Sequence, residues 1–266
     1  MPRTLAAVLF DMDGTLVETE EYWGEAMFEL AARLGGRMSA EARARTVGTS
    51  MRTSMRVLHD DLGLVRTEEE LLADARWVEN RTGELLAGSI PWRPGAADLL
   101  RAVHAAGLGS ALVTTTPRRI ADIVLRRIRA DLGLDPFAVT VCGDEVPARK
   151  PDPAPYLQAM AALGVEPGGC VVIEDSAVGI ASGLASGAAV LGVPTLQAVE
   201  PAEGLVLRAD LAGVRPAGAA RGARLGAVER RAGGPAVPLT PLRPSPVTGS
   251  GRWCAGRRPA PTGSAG

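Results

Sequence analysis

The 266-residue chain contains few of the residues that carry common catalytic and metal chemistry. It has two histidines, three cysteines and 3% aromatic residues. So few histidines disfavour a His-rich metal site or a Ser-His-Asp triad, and we expect both to be surface or half-buried residues. The cysteines have no CxxC spacing, and Cys142 and Cys170 stand in apolar runs. We therefore expect these two to be buried thiols of a reducing cytoplasm.

Long hydrophobic runs are also absent. No apolar run approaches the roughly 20 residues of a membrane helix, and the apolar segment after Met1-Pro2-Arg3 is too short for a signal peptide. With 46% hydrophobic residues, a chain of this length can bury one large core or two smaller ones. These features predict a cytoplasmic protein without membrane contact, and we expect a monomer.

Lysine is almost missing, because Lys150 is the one lysine among 29 basic residues, which leaves 28 arginines. It stands immediately before Pro151-Asp152-Pro153. A compact ammonium on a flexible stem enters a cluster of oxygens where a planar guanidinium fits poorly. The sequence therefore indicates a specific role for Lys150, the alternative being a chance surface lysine in an arginine-rich composition.

Two acids end the first apolar run of the chain. Leu5–Phe10 has the composition of a buried parallel strand, and Asp11-Met12-Asp13-Gly14 follows it at once. Side chains alternate along a strand, so Asp11 and Asp13 are expected on the same side, where they repel unless a cation or shared proton intervenes. The pair suggests divalent-metal chemistry with one nucleophile and one acid/base group. The alternative is a turn in which Asp and Gly serve local geometry.

After the first strand, the spacing of apolar residues divides the chain into a helical segment and an alternating segment. Residues 20–86 have helical spacing of apolar residues, and Thr67 to Glu70 has the sequence of a capping box. From residue 96 onward, apolar strands alternate with helices, which predicts a parallel sheet covered on both faces. Ligands bind at the carboxyl ends of such strands. Polar residues stand at the carboxyl ends of the predicted strands or after a short loop that follows a strand. They are Thr114, Lys150, Glu174 and Asp175. This placement favours an enzyme.

Residues 215–266 differ from the rest. They carry nine Arg and one Glu, with ten Gly and eight Pro and no helical or strand periodicity. We expect a disordered basic tail. Trp253 is its only aromatic ring, which gives base stacking little support, so nucleic-acid binding is not expected. The segment is read as incidental, and out-of-frame translation of the gene is a further hypothesis.

Four motifs stand in order along the chain. They are Phe10-Asp11-Met12-Asp13-Gly14-Thr15-Leu16, Val113-Thr114-Thr115, Lys150-Pro151-Asp152-Pro153 and Ile173-Glu174-Asp175-Ser176-Ala177-Val178-Gly179-Ile180. With these motifs the chain resembles the haloacid dehalogenase-like (HAD) hydrolases, in the branch with a helical cap after the first strand that includes β-phosphoglucomutase and phosphoglycolate phosphatase. The resemblance covers residues 5–214 and implies an α/β fold, a Rossmann-like doubly wound parallel sheet with an inserted all-helical cap domain. It places the core at 1–16 and 93–214 and the cap at 17–92.

The resemblance also implies roles for the acids. Asp11 would be the nucleophile that takes the phosphoryl group as an aspartyl-phosphate, and Asp13 would protonate the leaving alcohol and then activate water. Mg²⁺ would be held by Asp11, the backbone carbonyl of Asp13 and Asp175, with Glu174 nearby or water-bridged.

By the same resemblance, the Thr114 hydroxyl and the Thr115 backbone N–H would bind phosphoryl oxygens. Lys150 would neutralise charge on the nucleophile and the phosphate. The catalytic set is therefore expected to be Asp11, Asp13, Thr114 and Lys150. The phosphate-binding set is Asp11, Thr114, Thr115 and Lys150.

The predicted activity is Mg²⁺-dependent hydrolysis of a small phosphorylated metabolite, a phosphomonoester such as a sugar phosphate or a phosphoglycolate-like compound. A β-phosphoglucomutase-like isomerase is the alternative, although that resemblance places a histidine where this chain has Trp23 and an arginine near Met51 or Arg52. A non-catalytic binding protein of the same fold is a further alternative. Specificity is expected from the cap and its hinges, through Glu18, Tyr22, Trp23, Ser50, Arg52 and Arg93.

Overall fold

Six parallel strands form the central sheet in the order β3-β2-β1-β4-β5-β6. The computed structural model describes residues 5–88, 90–194, 199–217 and 224–225. In register, Phe10 of β1 lies between Leu112 of β2 and Ile173 of β4, which places these three strand ends side by side. The strands are β1 (Ala7–Phe10), β2 (Gly109–Val113), β3 (Val139–Val141), β4 (Cys170–Glu174), β5 (Ala189–Gly192) and β6 (Leu205–Leu207).

Four helices follow β1 and form the cap. They bury an apolar cluster of their own, which includes Met27, Leu30, Met55, Leu58 and Val78. The predicted capping box at Thr67 and Glu70 is confirmed. The helices are α1 (Glu20–Arg33), α2 (Ala40–Thr46), α3 (Met51–Asp61) and α4 (Glu68–Leu86).

Four further helices cover the two faces of the sheet. Val8 and Phe10 of β1 pack in one apolar cluster with α5 (Ala96–Ala105) and α6 (Arg118–Leu132). Ala7 and Leu9 pack in another with α7 (Ala154–Leu163) and α8 (Ala177–Ala185), and a short 3₁₀ helix, Pro167–Gly169, precedes β4. Alternate residues of one strand thus face opposite layers, and the predicted doubly wound sheet is confirmed.

The chain leaves and re-enters the core through two adjacent segments. Val17 and Trp92 form an isolated antiparallel bridge. The Glu18 N–H donates to the Pro91 carbonyl at 2.8 Å, and the Arg93 N–H donates to the Leu16 carbonyl at 2.9 Å. We predict that the cap begins and ends at this crossing.

The structure adds details that the sequence patterns did not give. His59 is buried, contrary to expectation, and lies 3.0 Å from the Asp74 carboxylate, whereas His104 is exposed. Pro216–Ala217 pairs antiparallel with Arg224–Leu225 as strands β7 and β8. Residues 218–223 and 226–266 lie outside the described residues, so the disordered tail stays a prediction. Among the helices described, none has the length and apolarity needed to cross a membrane.

Candidate active site

The Lys150 side chain reaches the carboxyl ends of three neighbouring strands. Its Nζ donates to Asp11 Oδ1 at 2.8 Å, to Glu174 Oε1 at 2.5 Å and to the Val113 carbonyl at 2.9 Å. The side chain is 2% exposed. The alternative of a chance surface lysine is therefore wrong, and the three motif-bearing strands β1, β2 and β4 meet at one ammonium.

Burial and charge shift the titration of this ion cluster. Burial and, after it, the Glu174 charge raise the pKa of the Asp11 carboxyl, the Lys150 ammonium opposes both, and the resulting pKa is about 7. Burial alone lowers the pKa of an ammonium, but the Asp11 and Glu174 carboxylates hold the pKa of Lys150 above its ordinary value. Lys150 thus stays charged, whereas ionisation of the neighbouring Asp11 carboxyl is unfavourable unless a further positive charge is present.

Glu174 is fully buried and accepts hydrogen bonds at both oxygens. The Tyr156 hydroxyl donates to Oε1 at 2.8 Å, beside Lys150. The Ser176 hydroxyl donates to Oε2 at 3.1 Å, and the backbone N–H groups of Asp175 and Ser176 donate to it at 3.2 and 3.3 Å. With so many donors, Glu174 holds Lys150 in position more than it offers oxygens to a ligand.

Asp13 is held by four donors from three elements. Oδ1 accepts from the Thr19 hydroxyl and from Trp23 Nε1 at 3.3 Å. Oδ2 accepts from the Thr116 hydroxyl at 2.7 Å and the Thr114 hydroxyl at 3.2 Å. Two carboxylates of one motif therefore have different surroundings: Asp11 contacts an ammonium, and Asp13 contacts neutral hydroxyls and an indole.

The acids of β1 and β4 form a set that could hold a metal ion. Asp11, Glu174 and Asp175 each place one oxygen within 4.8 Å of the others. Gly14, at φ +76°, leaves room for Asp175, because a Cβ there would lie 2.3 Å from Asp175 Oδ2. Carboxylate oxygens are hard ligands, and crowded buried carboxylates repel without a cation. The residues present fit Mg²⁺.

A pocket of about 800 Å³, including space open to solvent, lies over these acids. Its core wall contains Asp11, Asp13, Thr115, Thr116, Pro117, Arg149, Lys150, Asp175 and Ser176. Its cap wall contains Glu20, Trp23, Met27, Arg43, Thr46, Val47, Gly48, Thr49, Met51, Ser54 and Glu79. Of the predicted catalytic residues, Asp11, Asp13 and Lys150 lie on the core wall and Thr114 is not part of the lining. The cap wall faces the three that line the pocket.

Comparison with known proteins agrees with this arrangement. The sequence model of the haloacid dehalogenase-like hydrolases matches residues 5–187. The chain belongs to this family. The HAD resemblance drawn from the four motifs is thereby confirmed, and the protein is an enzyme of the hydrolase class.

Three similar proteins are informative about this HAD member. Protein CbbY of Rhodobacter capsulatus is 34% identical over 197 residues, which cover 72% of this chain and 86% of that protein. A phosphorylated carbohydrates phosphatase of Thermotoga maritima is 31% identical, covering 69% and 82%. A crystal structure of CbbY from Rhodobacter sphaeroides in complex with xylulose-(1,5)bisphosphate matches with a TM-score of 0.67 and 29% identity, covering 79% and 96%.

Of the six residues predicted for specificity in this HAD member, Trp23 lines the pocket. It also packs against the apolar clusters of both core and cap. Glu18 and Arg93 instead pair with each other at 2.8 Å where the cap joins the core. Their contact stabilises the crossing segments rather than facing the pocket.

The other three predicted residues have local structural contacts. Tyr22 packs against the core cluster. The Ser50 hydroxyl accepts from the Thr53 N–H and caps α3. Arg52 is half exposed and pairs with Glu68 at 2.6 Å. The pocket lining includes none of these three.

Three charged residues of the cap wall were missed from sequence: Glu20, Arg43 and Glu79. Glu20 precedes Trp23 by three residues and Met27 by seven, which places the three side chains on one face of α1. This spacing could have indicated that Glu20 lies on the same side of the helix as Trp23. No such spacing marks Arg43 or Glu79, because the direction in which their side chains point depends on how α2 and α4 pack. Tyr156 was missed for the same reason, since its partner Glu174 lies 18 residues away.

Proposed function

We propose that the protein is a Mg²⁺-dependent phosphatase that hydrolyses a small phosphorylated carbohydrate through an aspartyl-phosphate on Asp11. The observation that carries this proposal is the contrast between two neighbouring carboxylates. Asp11 contacts the Lys150 ammonium, while Asp13 is oriented by three hydroxyls and an indole N–H. Unlike surroundings suit one carboxylate to nucleophilic attack and the other to proton transfer.

The chemistry follows in two displacements. An Asp11 oxygen attacks phosphorus in line, the bond from phosphorus to the ester oxygen breaks, and Asp13 in its acid form gives its proton to the leaving oxygen. Asp13 then takes a proton from water as that water attacks the phosphorus of the aspartyl-phosphate. The bond from phosphorus to Asp11 breaks, and inorganic phosphate leaves.

Charge stabilisation comes from the core wall. Lys150 neutralises Asp11 and the incoming phosphoryl oxygens, and the Thr115 backbone N–H binds those oxygens. The buried Thr114 hydroxyl donates to Asp13 and holds that acid in place. Asp11, the Asp13 carbonyl and Asp175 would hold Mg²⁺, with Glu174 in the next layer. When bound, Mg²⁺ supplies positive charge to the phosphoryl oxygens and to the crowded carboxylates.

The names of the similar proteins support a carbohydrate phosphate as substrate. One is called a phosphorylated carbohydrates phosphatase, and another is crystallised with a sugar bisphosphate. A pocket between cap and core also suits a small substrate, since a closing cap excludes water and leaves no room for a macromolecule.

The decisive experiment measures phosphate release by the full chain with and without Mg²⁺. The substrates are p-nitrophenyl phosphate, sorbitol 6-phosphate, fructose 6-phosphate and 2-phosphoglycolate. We expect Mg²⁺-dependent release and a fall in kcat of at least about 1,000-fold in Asp11→Asn, which lacks the nucleophile. Asp98→Asn, at an exposed position of α5, is the matched control and should keep wild-type activity.

Two outcomes contradict this proposal. Undiminished release by Asp11→Asn would exclude an aspartyl-phosphate at that residue. Conversion of glucose 1-phosphate to glucose 6-phosphate, primed by a hexose bisphosphate and without net phosphate release, would assign the mutase activity instead.

A further inference from the structure

The cap wall of the pocket carries two carboxylates and one guanidinium. Glu20 and Arg43 pair at 2.7 Å, with side chains 14% and 15% exposed. Glu79 also lines the pocket, and its Oε2 accepts from Arg119, which is not among the lining residues. Among the residues placed by the structure, each carboxylate of the cap wall is thus already paired with a guanidinium, Glu20 with Arg43 and Glu79 with Arg119.

The Arg43 guanidinium is already committed to neighbours. Its Nη2 donates to the backbone carbonyl of Glu20 and to Glu20 Oε2, both at 2.7 Å. Its Nη1 donates to the Thr46 hydroxyl at 3.0 Å. A second anionic group on the substrate would have to displace these hydrogen bonds before Arg43 could bind it.

The remaining cationic groups of the lining belong to the opposite wall. Lys150 is bound to Asp11 and Glu174, and Arg149 directly precedes it in the chain. These two lie on the wall of the phosphoryl site. The far end of a bound phosphomonoester therefore faces the carboxylates of the cap.

Carboxylate oxygens accept hydrogen bonds from hydroxyl groups and repel phosphates and carboxylates. We propose, resting on the phosphatase function above, that the substrate is a monophosphate whose far end is an uncharged polyol. Glu20 and Glu79 are its specificity-determining residues. They accept hydrogen bonds from substrate hydroxyls, and they hold the guanidinium groups of Arg43 and Arg119, so that neither cation is left to bind a second anion. The preference differs from the bisphosphate held in the similar CbbY crystal structure.

A matched pair of substrates tests this inference. Sorbitol 6-phosphate and 6-phosphogluconate have the same six-carbon chain and the same phosphate position. Carbon 1 is a hydroxymethyl group in sorbitol 6-phosphate and a carboxylate in 6-phosphogluconate. We expect the full-length wild type with Mg²⁺ to favour sorbitol 6-phosphate by at least about tenfold in kcat/KM, because the added carboxylate meets acceptor oxygens and guanidinium groups that are already paired.

Variants of the cap wall should weaken this discrimination. Glu79→Gln and Glu20→Gln each keep the size of the side chain and remove its charge, which frees Arg119 and Arg43, respectively. Each is expected to raise the relative kcat/KM for 6-phosphogluconate by about threefold to tenfold, mainly through KM. Glu84→Gln, on the same helix as Glu79 and with a side chain 67% exposed, is the control and should leave the ratio unchanged.

The outcomes separate this inference from the phosphatase proposal. Equal or better hydrolysis of 6-phosphogluconate by the wild type would overturn the inference. If the Arg149→Gln variant then lost that hydrolysis, Arg149 would be the residue that binds the far end of the substrate. Hydrolysis of neither compound by a protein active on p-nitrophenyl phosphate would also overturn it, while leaving the phosphatase intact. Inactivity on all three compounds would contradict both.

Discussion

The Tyr156 hydroxyl and the Lys150 ammonium donate to the same oxygen, Oε1 of Glu174. Tyr156 comes from α7, under the sheet edge, and is fully buried. The Tyr156 hydroxyl thereby fixes the Glu174 carboxylate, which positions Lys150. The sequence around Glu174 does not predict this contact.

Removing this hydroxyl should cost stability and activity together. In Tyr156→Phe, a buried carboxylate loses one donor, which costs about 1–3 kcal/mol. We expect Tm to fall by roughly 3–10 °C and kcat/KM to fall about threefold to thirtyfold as Lys150 loses its fixed partner. Thermal unfolding and steady-state kinetics measure the two effects. An unchanged Tm would mean that Glu174 finds another donor.

Gly179 should not tolerate even a methyl group. A Cβ at this position of α8 would lie 1.9 Å from Glu174 Oε1. Helix propensity favours Ala over Gly by about 1 kcal/mol, but the clash requires the carboxylate or the helix to move. We expect Gly179→Ala to lose at least about 100-fold in kcat/KM.

Gly88→Ala is the matched control for that change, because its nearest contact is the Leu85 carbonyl at 3.6 Å. It should keep wild-type kinetics. Equal activity of the two variants would show that the site accommodates a displaced Glu174.

Mg²⁺ should stabilise the folded protein through Asp175. A ligand that binds the native state at 100 times its Kd adds about 2.7 kcal/mol, which corresponds to a Tm rise of roughly 5–10 °C. We expect Asp175→Asn to abolish most of this rise, because a buried carboxylate of the metal set is lost. Asp60→Asn, at an exposed position of α3, should retain it. The same rise in all three proteins would place the ion elsewhere.

Cys142 and Cys170 should resist alkylation in the native protein. Burial raises the pKa of the Cys142 thiol to about 12 and that of Cys170 to about 11. A raised thiol pKa means less thiolate, so at pH 8 only about one thiol in 10,000 and one in 1,000 is reactive. Labelling by iodoacetamide should rise as pH increases and should be at least about 100-fold faster in urea. Mass spectrometry of the labelled peptides measures this ratio, and equal rates with and without urea would contradict the burial.

The core of the site was predictable because its signals are local. Asp11, Thr114 and Glu174 each follow a short apolar run, and parallel strands bring such ends to one edge. Lys150 was marked as the one lysine of the chain and by the motif Lys150-Pro151-Asp152-Pro153 that it begins. Strand β6, Leu205–Leu207, was not predicted, because a run of three apolar residues is too short to indicate a strand.

The cap wall was not predictable in the same way. Glu20 and Arg43 meet because α1 packs against α2, and no spacing within either helix shows that their side chains are neighbours. Glu18 and Arg93 were each read as possible substrate contacts, whereas they bind each other across 75 residues of chain. Sequence patterns place residues on a face, but partner choice depends on tertiary packing.

The lone lysine gives this protein an internal reporter. The chain holds one side-chain amine, and that amine touches Asp11, Glu174 and the end of β2. Uniform incorporation of ¹⁵N-lysine therefore labels a single ammonium group, and its NMR signal needs no assignment by mutagenesis. Every shift of that resonance during a titration with metal or phosphate reads out the nucleophile's immediate surroundings, from an otherwise unmodified enzyme.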